Sequence, residues 1–291
     1  MKLSLCNLTL TGVCALGSGL IWGCAATPAS YTVKQSVLPA SKPTIDIGID
    51  PSSCRLIPRS KVSLCWNAND AIFPQAKKFA MSATPLSVAE RKRALQIVEQ
   101  ALLRYPAPLL QQNLKAVFVV ETLHFRGIEA SGTYGSDRVY IADGGEEKNY
   151  TSQWITQVFH EEFSSELLWR HQKLLDKAVW QACNLPDFHY GGDGVGAIKN
   201  ATDSTQPLPE WWAKGFICQY ATASMEEDFN QLVTYLFSNL PSDRPALAAS
   251  PQLRRKAVLV KNFYHKIGMD IDTPVDKHQS SKAIRHKIVQ Q

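Results

Sequence analysis

The densest group of reactive side chains is the run Val158-Phe159-His160-Glu161-Glu162-Phe163-Ser164-Ser165-Glu166. Two histidines at i and i+4 of one helix present both rings to a single zinc ion, and a glutamate at i+1 polarises the water bound there. His160 and Glu161 match the first half of that pattern, with Glu161 as the catalytic base. Ser164 stands where the second histidine belongs, and a neutral hydroxyl is a poor zinc ligand beside imidazole. His171 lies on nearly the same face, but eleven residues of helix carry it ~16 Å along the axis. A second register makes Glu162 the base and puts Glu161 and Ser165 at the ligand positions, which takes both histidines out of the ligand set. Neither register completes a set of three.

Other groups in the chain are weaker. Glu162 and Glu166 form an i,i+4 carboxylate pair of the kind that populates a solvated helix face. Ser164 and Ser165 lie beside His160 but lack the strained elbow that exposes a nucleophilic serine. The glycines between Gly191 and Gly196 follow no strand and match no dinucleotide fingerprint. Trp211-Trp212 suits either a binding groove or packing. Arg254-Arg255-Lys256 is a basic run expected on a wet helix face.

The elements that must hold these residues follow from apolar periodicity. Val88, Arg91, Leu95, Val98, Leu102 and Leu103 recur at helical spacing from Ser87, and Pro106 ends the run. The β-branched stretch 115–121 predicts a buried strand. Segments 131–134 and 138–142 predict two more strands or one bent strand, around Gly135-Ser136-Asp137. A long helix is expected over 149–169, extended or followed by a second near 172–183. Residues 184–212 are broken by proline and glycine, and helices are expected over 225–237 and 252–267. Residues 54–80 predict irregular structure. The fold class is α+β.

The 291 residues carry 31 Lys and Arg against 26 Asp and Glu, a net charge of +5, and 45% are hydrophobic. That composition supports a packed core and excludes a disordered chain. It gives no basic stripe, so no nucleic-acid partner is expected. Met1-Lys2 followed by the uncharged segment 3–23 reads as an export signal, and Gly23-Cys24 as the end of a lipobox with Cys24 as the lipidated residue. A signal cut near Ala26 and an uncleaved anchor are the alternatives. The expected organisation is a signal peptide at 1–23, a Pro- and Ser-rich tether at 24–53, one domain at 54–270 and a polar tail at 271–291. The expected location is the bacterial cell envelope, facing the periplasm or on the outer membrane, with the membrane as partner through the lipid. Of the seven cysteines, Cys54, Cys65, Cys183 and Cys218 remain for disulfides in an oxidising compartment. Three pairings exist, and Cys54–Cys65 with Cys183–Cys218 is favoured; buried free thiols are the alternative.

The segment Gly215-Phe216-Ile217-Cys218-Gln219-Tyr220-Ala221-Thr222-Ala223-Ser224-Met225-Glu226-Glu227-Asp228-Phe229-Asn230-Gln231 resembles one in the bacterial lipoproteins known as putative zinc-binding metallopeptidases. There a Gly-Phe, a Tyr-Ala and a Ser precede Glu-Asp-Phe-Ala-Glu. Gly132-Thr133-Tyr134, Val139-Tyr140-Ile141-Ala142 and Arg104-Tyr105-Pro106 are also similar to that family, so the resemblance spans residues 88–268. It implies a zincin-like, gluzincin-type fold: a small antiparallel sheet, an active-site helix and further C-terminal helices. It also implies zinc held by His160 and Glu227, with Glu161 as base and a peptide or protein substrate. Asn230 and Gln231 depart from the family's Ala and second Glu. A further ligand would have to come from His189, first choice, or from His124 or Asp193. The resemblance leaves two functions open, a zinc-dependent peptidase or an inactive relative that kept its cleft for binding or scaffolding; a structural envelope lipoprotein with no metal is a third.

Overall fold

The structure is a computed structural model and describes residues 53–68, 80–239 and 243–272. The leader, Cys24, the tether to residue 52 and the tail beyond residue 272 lie outside the described residues.

The molecule is α+β, with a mixed seven-stranded sheet. Strands β1 (Cys54–Ile57) and β2 (Val62–Cys65) form an antiparallel hairpin in the segment expected to be irregular. A disulfide joins the facing residues Cys54 and Cys65. After β3 (Ser82–Pro85) come helices α1 (Arg91–Leu102) and α2 (Ala107–Asn113), then the ten-residue β4 (Ala116–Phe125). Short β5 (Ile128–Glu129) turns back on β4, and β6 (Gly132–Gly135) pairs antiparallel with β7 (Arg138–Ala142).

The main sheet order is β1-β2-β4-β7-β6. Contrary to the antiparallel sheet expected, β4 runs parallel to both β2 and β7, with Ala116 opposite Ser63 on one side and Arg138 on the other. Its first five residues, Ala116 to Val120, are all buried, as both-faced parallel strands require. Alternation then divides their side chains. Val117, Val119, Val139 and Ile141 face the main core, while Ala116, Phe118, Val120 and Tyr140 make a smaller cluster behind the sheet.

On the main-core side lie α1, α3 (Ser152–Arg170), α7 (Met225–Ser238) and α9 (Pro251–Lys266). Helix α3 packs against β6 and β7 on one side and α7 on another. Short α4 (Lys177–Gln181), α5 (Gly194–Lys199), α6 (Pro209–Trp212) and α8 (Pro245–Ala249) fill the connections, so the proline- and glycine-broken stretch is not wholly irregular. Among the described residues no helix is long and apolar enough to cross a membrane.

Three further expectations are corrected. Cys183 and Cys218 are free, buried thiols: Cys183 Sγ donates to the Val179 carbonyl at 3.4 Å, whereas Cys218 Sγ turns to Gln231 Oε1 at 3.6 Å. Glu166 is fully buried, not on a solvated face. It accepts from the Asp137 amide at 3.0 Å and from Arg170 Nε at 2.5 Å. It thereby closes the β6–β7 turn, whose Ser136 and Asp137 take positive φ of 53° and 64°. Lys256, in the basic run, is also fully buried and pairs with Asp228 at 2.7 Å.

Candidate functional site

Two helix starts aim the site. The Thr151 hydroxyl accepts from the Trp154 amide at 3.2 Å and caps α3. The Ser224 hydroxyl accepts from the Glu227 amide at 3.1 Å and caps α7. Glu227, at the third position, does not close a capping box. Its carboxylate instead bonds the Tyr220 hydroxyl.

On α3, side chains rotate about 100° per residue, so neighbours in sequence serve different surfaces. Glu161, Glu162 and Ser165 line a cleft of about 460 Å³ together with Glu226, Glu227, Tyr134 and Tyr220. His160 is not in that group. Its ring is buried among Tyr105, Phe159 and Phe237, and Nδ1 lies 2.9 Å from the Tyr105 hydroxyl. Burial, aided by the Arg104 charge, pushes its pKa down to about 3, so the imidazole is neutral at physiological pH. Ser164 likewise faces inward, donating to Asn230 Oδ1 at 2.5 Å, while Asn230 Nδ2 donates to Ser165 Oγ at 2.6 Å. This serine–asparagine bridge welds α3 to α7 and leaves no serine poised beside a base. Of the two registers, the one with Glu162 as base and Glu161 and Ser165 at the ligand positions is the one turned towards Glu227.

The remaining candidates lie apart. His189 and His124 are exposed and do not line the cleft. Asp193 is at its rim, where it caps α5 through the Gly196 amide at 2.7 Å and pairs with Arg126 at 3.3 Å.

The cleft is tightly walled. A Cβ on Gly132 of β6 would sit 2.7 Å from the Cγ and Oε1 atoms of Glu162 and from Cγ1 of Val158, so only glycine lets the strand lie this close. A Cβ on Gly194 would meet the Tyr220 hydroxyl and Glu227 Oε1. The Tyr134 hydroxyl donates to Glu226 Oε1 at 2.8 Å.

Packing carboxylates this closely raises their proton affinity. Burial pushes Glu161 up to about 7, against the nearby Gln231 amide, which favours the ionised form. Glu162 is raised well above the carboxylate range by burial and then by the charges of Glu161, Glu227 and Glu226. Glu227 is raised similarly by burial and by Glu161 and Glu226, although the Tyr220 bond opposes it. At neutral pH the cluster therefore holds protons as well as charge.

Zinc does not fit these residues. The cleft offers carboxyls and a hydroxyl already bonded to Asn230, with neither imidazole nor thiolate. Among the described residues no three His, Cys, Asp or Glu side chains are disposed to hold a metal ion.

Sequence reading overlooked Thr234, which lines the α7 side of an adjoining cavity with Gln231, Tyr220 and Trp212. The signal was the i, i+4, i+7 spacing of Glu227, Gln231 and Thr234, which puts three polar residues on one face of the helix.

No family profile and no curated protein matches this chain. Among solved structures, it is similar to one from Bacteroides caccae ATCC 43185 described as a "putative zinc-binding metallo-peptidase". The identity is 13% and the TM-score 0.47, over 65% of this chain and 75% of that one.

Proposed function

We propose that this protein is a cell-envelope lipoprotein with a zincin-like fold that binds a ligand in its carboxylate cleft and does not hydrolyse peptides with zinc. One observation carries the reading: the only histidine on the site helix up to Arg170 is His160, and it is committed to Tyr105 on the side away from Glu227. The histidine-free register surrounds Glu162 with carboxyls and hydroxyls, a donor set poor in the imidazole that zinc sites use. The envelope location rests on the leader and on Gly23-Cys24. It is supported by the Cys54–Cys65 disulfide, since such bonds persist in oxidising compartments.

The test is metal analysis of the full-length chain, purified without a metal-binding tag, alongside a peptidase assay on an unfolded protein substrate. The expected result is substoichiometric zinc and no cleavage, before and after zinc is added. One zinc per chain that disappears in Glu161→Gln or Glu227→Gln, together with cleavage, would overturn the proposal.

A further inference from the structure

Beyond Glu161 and Glu162 the cleft opens into a second cavity of about 710 Å³ between α3, α6 and α7. Its charged lining is of one sign. Glu161, Glu162, Asp203 and Asp243 contribute carboxyls, and among the described residues no lysine, arginine or histidine lines it. Four aromatic residues, Trp154, Trp212, Tyr220 and Tyr235, share the wall.

Three polar groups there lack partners, the Gln231 side-chain amide nitrogen among them. Thr234 is 7% exposed, and its hydroxyl has no hydrogen bond; the Trp212 indole N–H is buried and likewise unbonded. Thr234 lies one turn beyond Gln231 on the stripe of α7 that faces this cavity. A buried polar group without a partner costs on the order of 1–3 kcal/mol, so these three mark places where a ligand supplies what the protein does not.

We infer that this cavity binds a lysine or arginine side chain carried on a peptide, its cationic head on Glu161 and Glu162 and its methylenes on the aromatic wall. The inference rests on reading the cleft as a binding surface. An organic cation suits a wall that combines carboxyls with aromatic faces, which attract alkylammonium and guanidinium groups through their ring quadrupoles. A bare divalent ion would find too few oxygens grouped together. The unbonded indole N–H selects between organic cations. It is a donor and needs an acceptor; a protonated polyamine has none, whereas a peptide has carbonyl oxygens.

The experiment is calorimetric titration of the full-length, zinc-analysed chain at pH 8 with an acetyl-Ala-Lys-Ala-amide peptide, its ε-acetyllysine counterpart, and spermidine. The expected result is binding of the lysine peptide, weakened about tenfold or more by ε-acetylation, by Glu161→Gln and by the rim substitution Asp243→Asn. Asp243 is exposed, so that variant folds even if changes deeper in the cleft do not. Glu210→Gln, an exposed acid on α6 outside the cavity wall, should leave the affinity within twofold. Equal binding of the two peptides, equal loss with Glu210→Gln, or no binding would overturn the inference. Spermidine binding as tightly as the lysine peptide would overturn the peptide assignment. Failure of binding by an intact zinc-free chain leaves the non-catalytic reading standing; cleavage by a zinc-loaded chain overturns that reading itself.

Discussion

Replacing Glu161 with glutamine should stabilise the protein, and only above acid pH. Folding raises this carboxyl from 4.5 to about 7, chiefly by burial. The folded state therefore holds the proton more tightly than the unfolded chain. The stability this contributes is complete below pH 4.5 and is lost as the pH rises through 7. A shift of that size corresponds to at most about 3 kcal/mol. Water at the mouth of the cleft reduces it, so about 1–3 kcal/mol is expected. Glutamine keeps the shape while removing the charge that also presses on Glu162 and Glu227. For a domain of this size the gain amounts to roughly 3–10 °C in Tm at pH 8. The assay is thermal unfolding of wild type and Glu161→Gln at pH 4.5 and pH 8. The difference should be near zero at the lower pH and several degrees at the higher one. A variant less stable than wild type at pH 8, or a gain of equal size at both values, would refute the picture of a carboxylate crowded and desolvated by its neighbours.

Two further substitutions probe the frame around the cleft. Lys256→Met should cost about 3–5 kcal/mol in urea unfolding, because it strands the fully buried Asp228 carboxylate, otherwise held by Lys256, Tyr190 and Trp180; adding Asp228→Asn should recover much of the loss, and a mild single-variant effect would show the pair to be hydrated. Gly132→Ala should lose about 1–3 kcal/mol of stability in the same assay through overpacking against Val158 and Glu162, and Val158→Ala should relieve it. Indifference of Gly132→Ala would mean that β6 can withdraw from α3.

Much of the architecture was legible because it is written locally. The apolar stripes of α1 and α9 and the β-branched start of β4 each declare their element within a dozen residues. Sheet direction is not local: β2, β4 and β7 become parallel through pairings between segments far apart in sequence. The β1–β2 hairpin escaped because its strands are four residues long and its alternation is too brief to show a period. At the site the sequence left two registers open, one residue of helical phase apart. His160-Glu161 matches the zinc pattern better by letter, but Tyr105, 55 residues earlier, binds the imidazole and turns Glu161 and Glu162 to the cleft. Burial of Glu166 and Lys256 was hidden for the same reason, since their partners, the Asp137 amide and Asp228, come from other elements.

A cleft that gathers like charges at a cost to stability needs a seam that does not depend on them. Helix α7 separates the two tasks by face. Phe229, Leu232, Val233 and Leu236 enter the core, Asn230 bridges to Ser164 and Ser165, and Asp228 is neutralised by Lys256. The stripe of Glu227, Gln231 and Thr234 takes no part in that fastening beyond Gln231 accepting the Cys218 thiol. The bonds joining α3 to α7 are therefore a hydroxyl–amide bridge and apolar packing, neither of which weakens when Glu161 ionises. Repulsion in the cleft lowers the stability of the whole fold without selectively opening the seam beside it. What pH changes at this site is the charge offered to a ligand. A binding site whose ligand is cationic gains from that separation, because the incoming charge removes the repulsion that the empty cleft sustains.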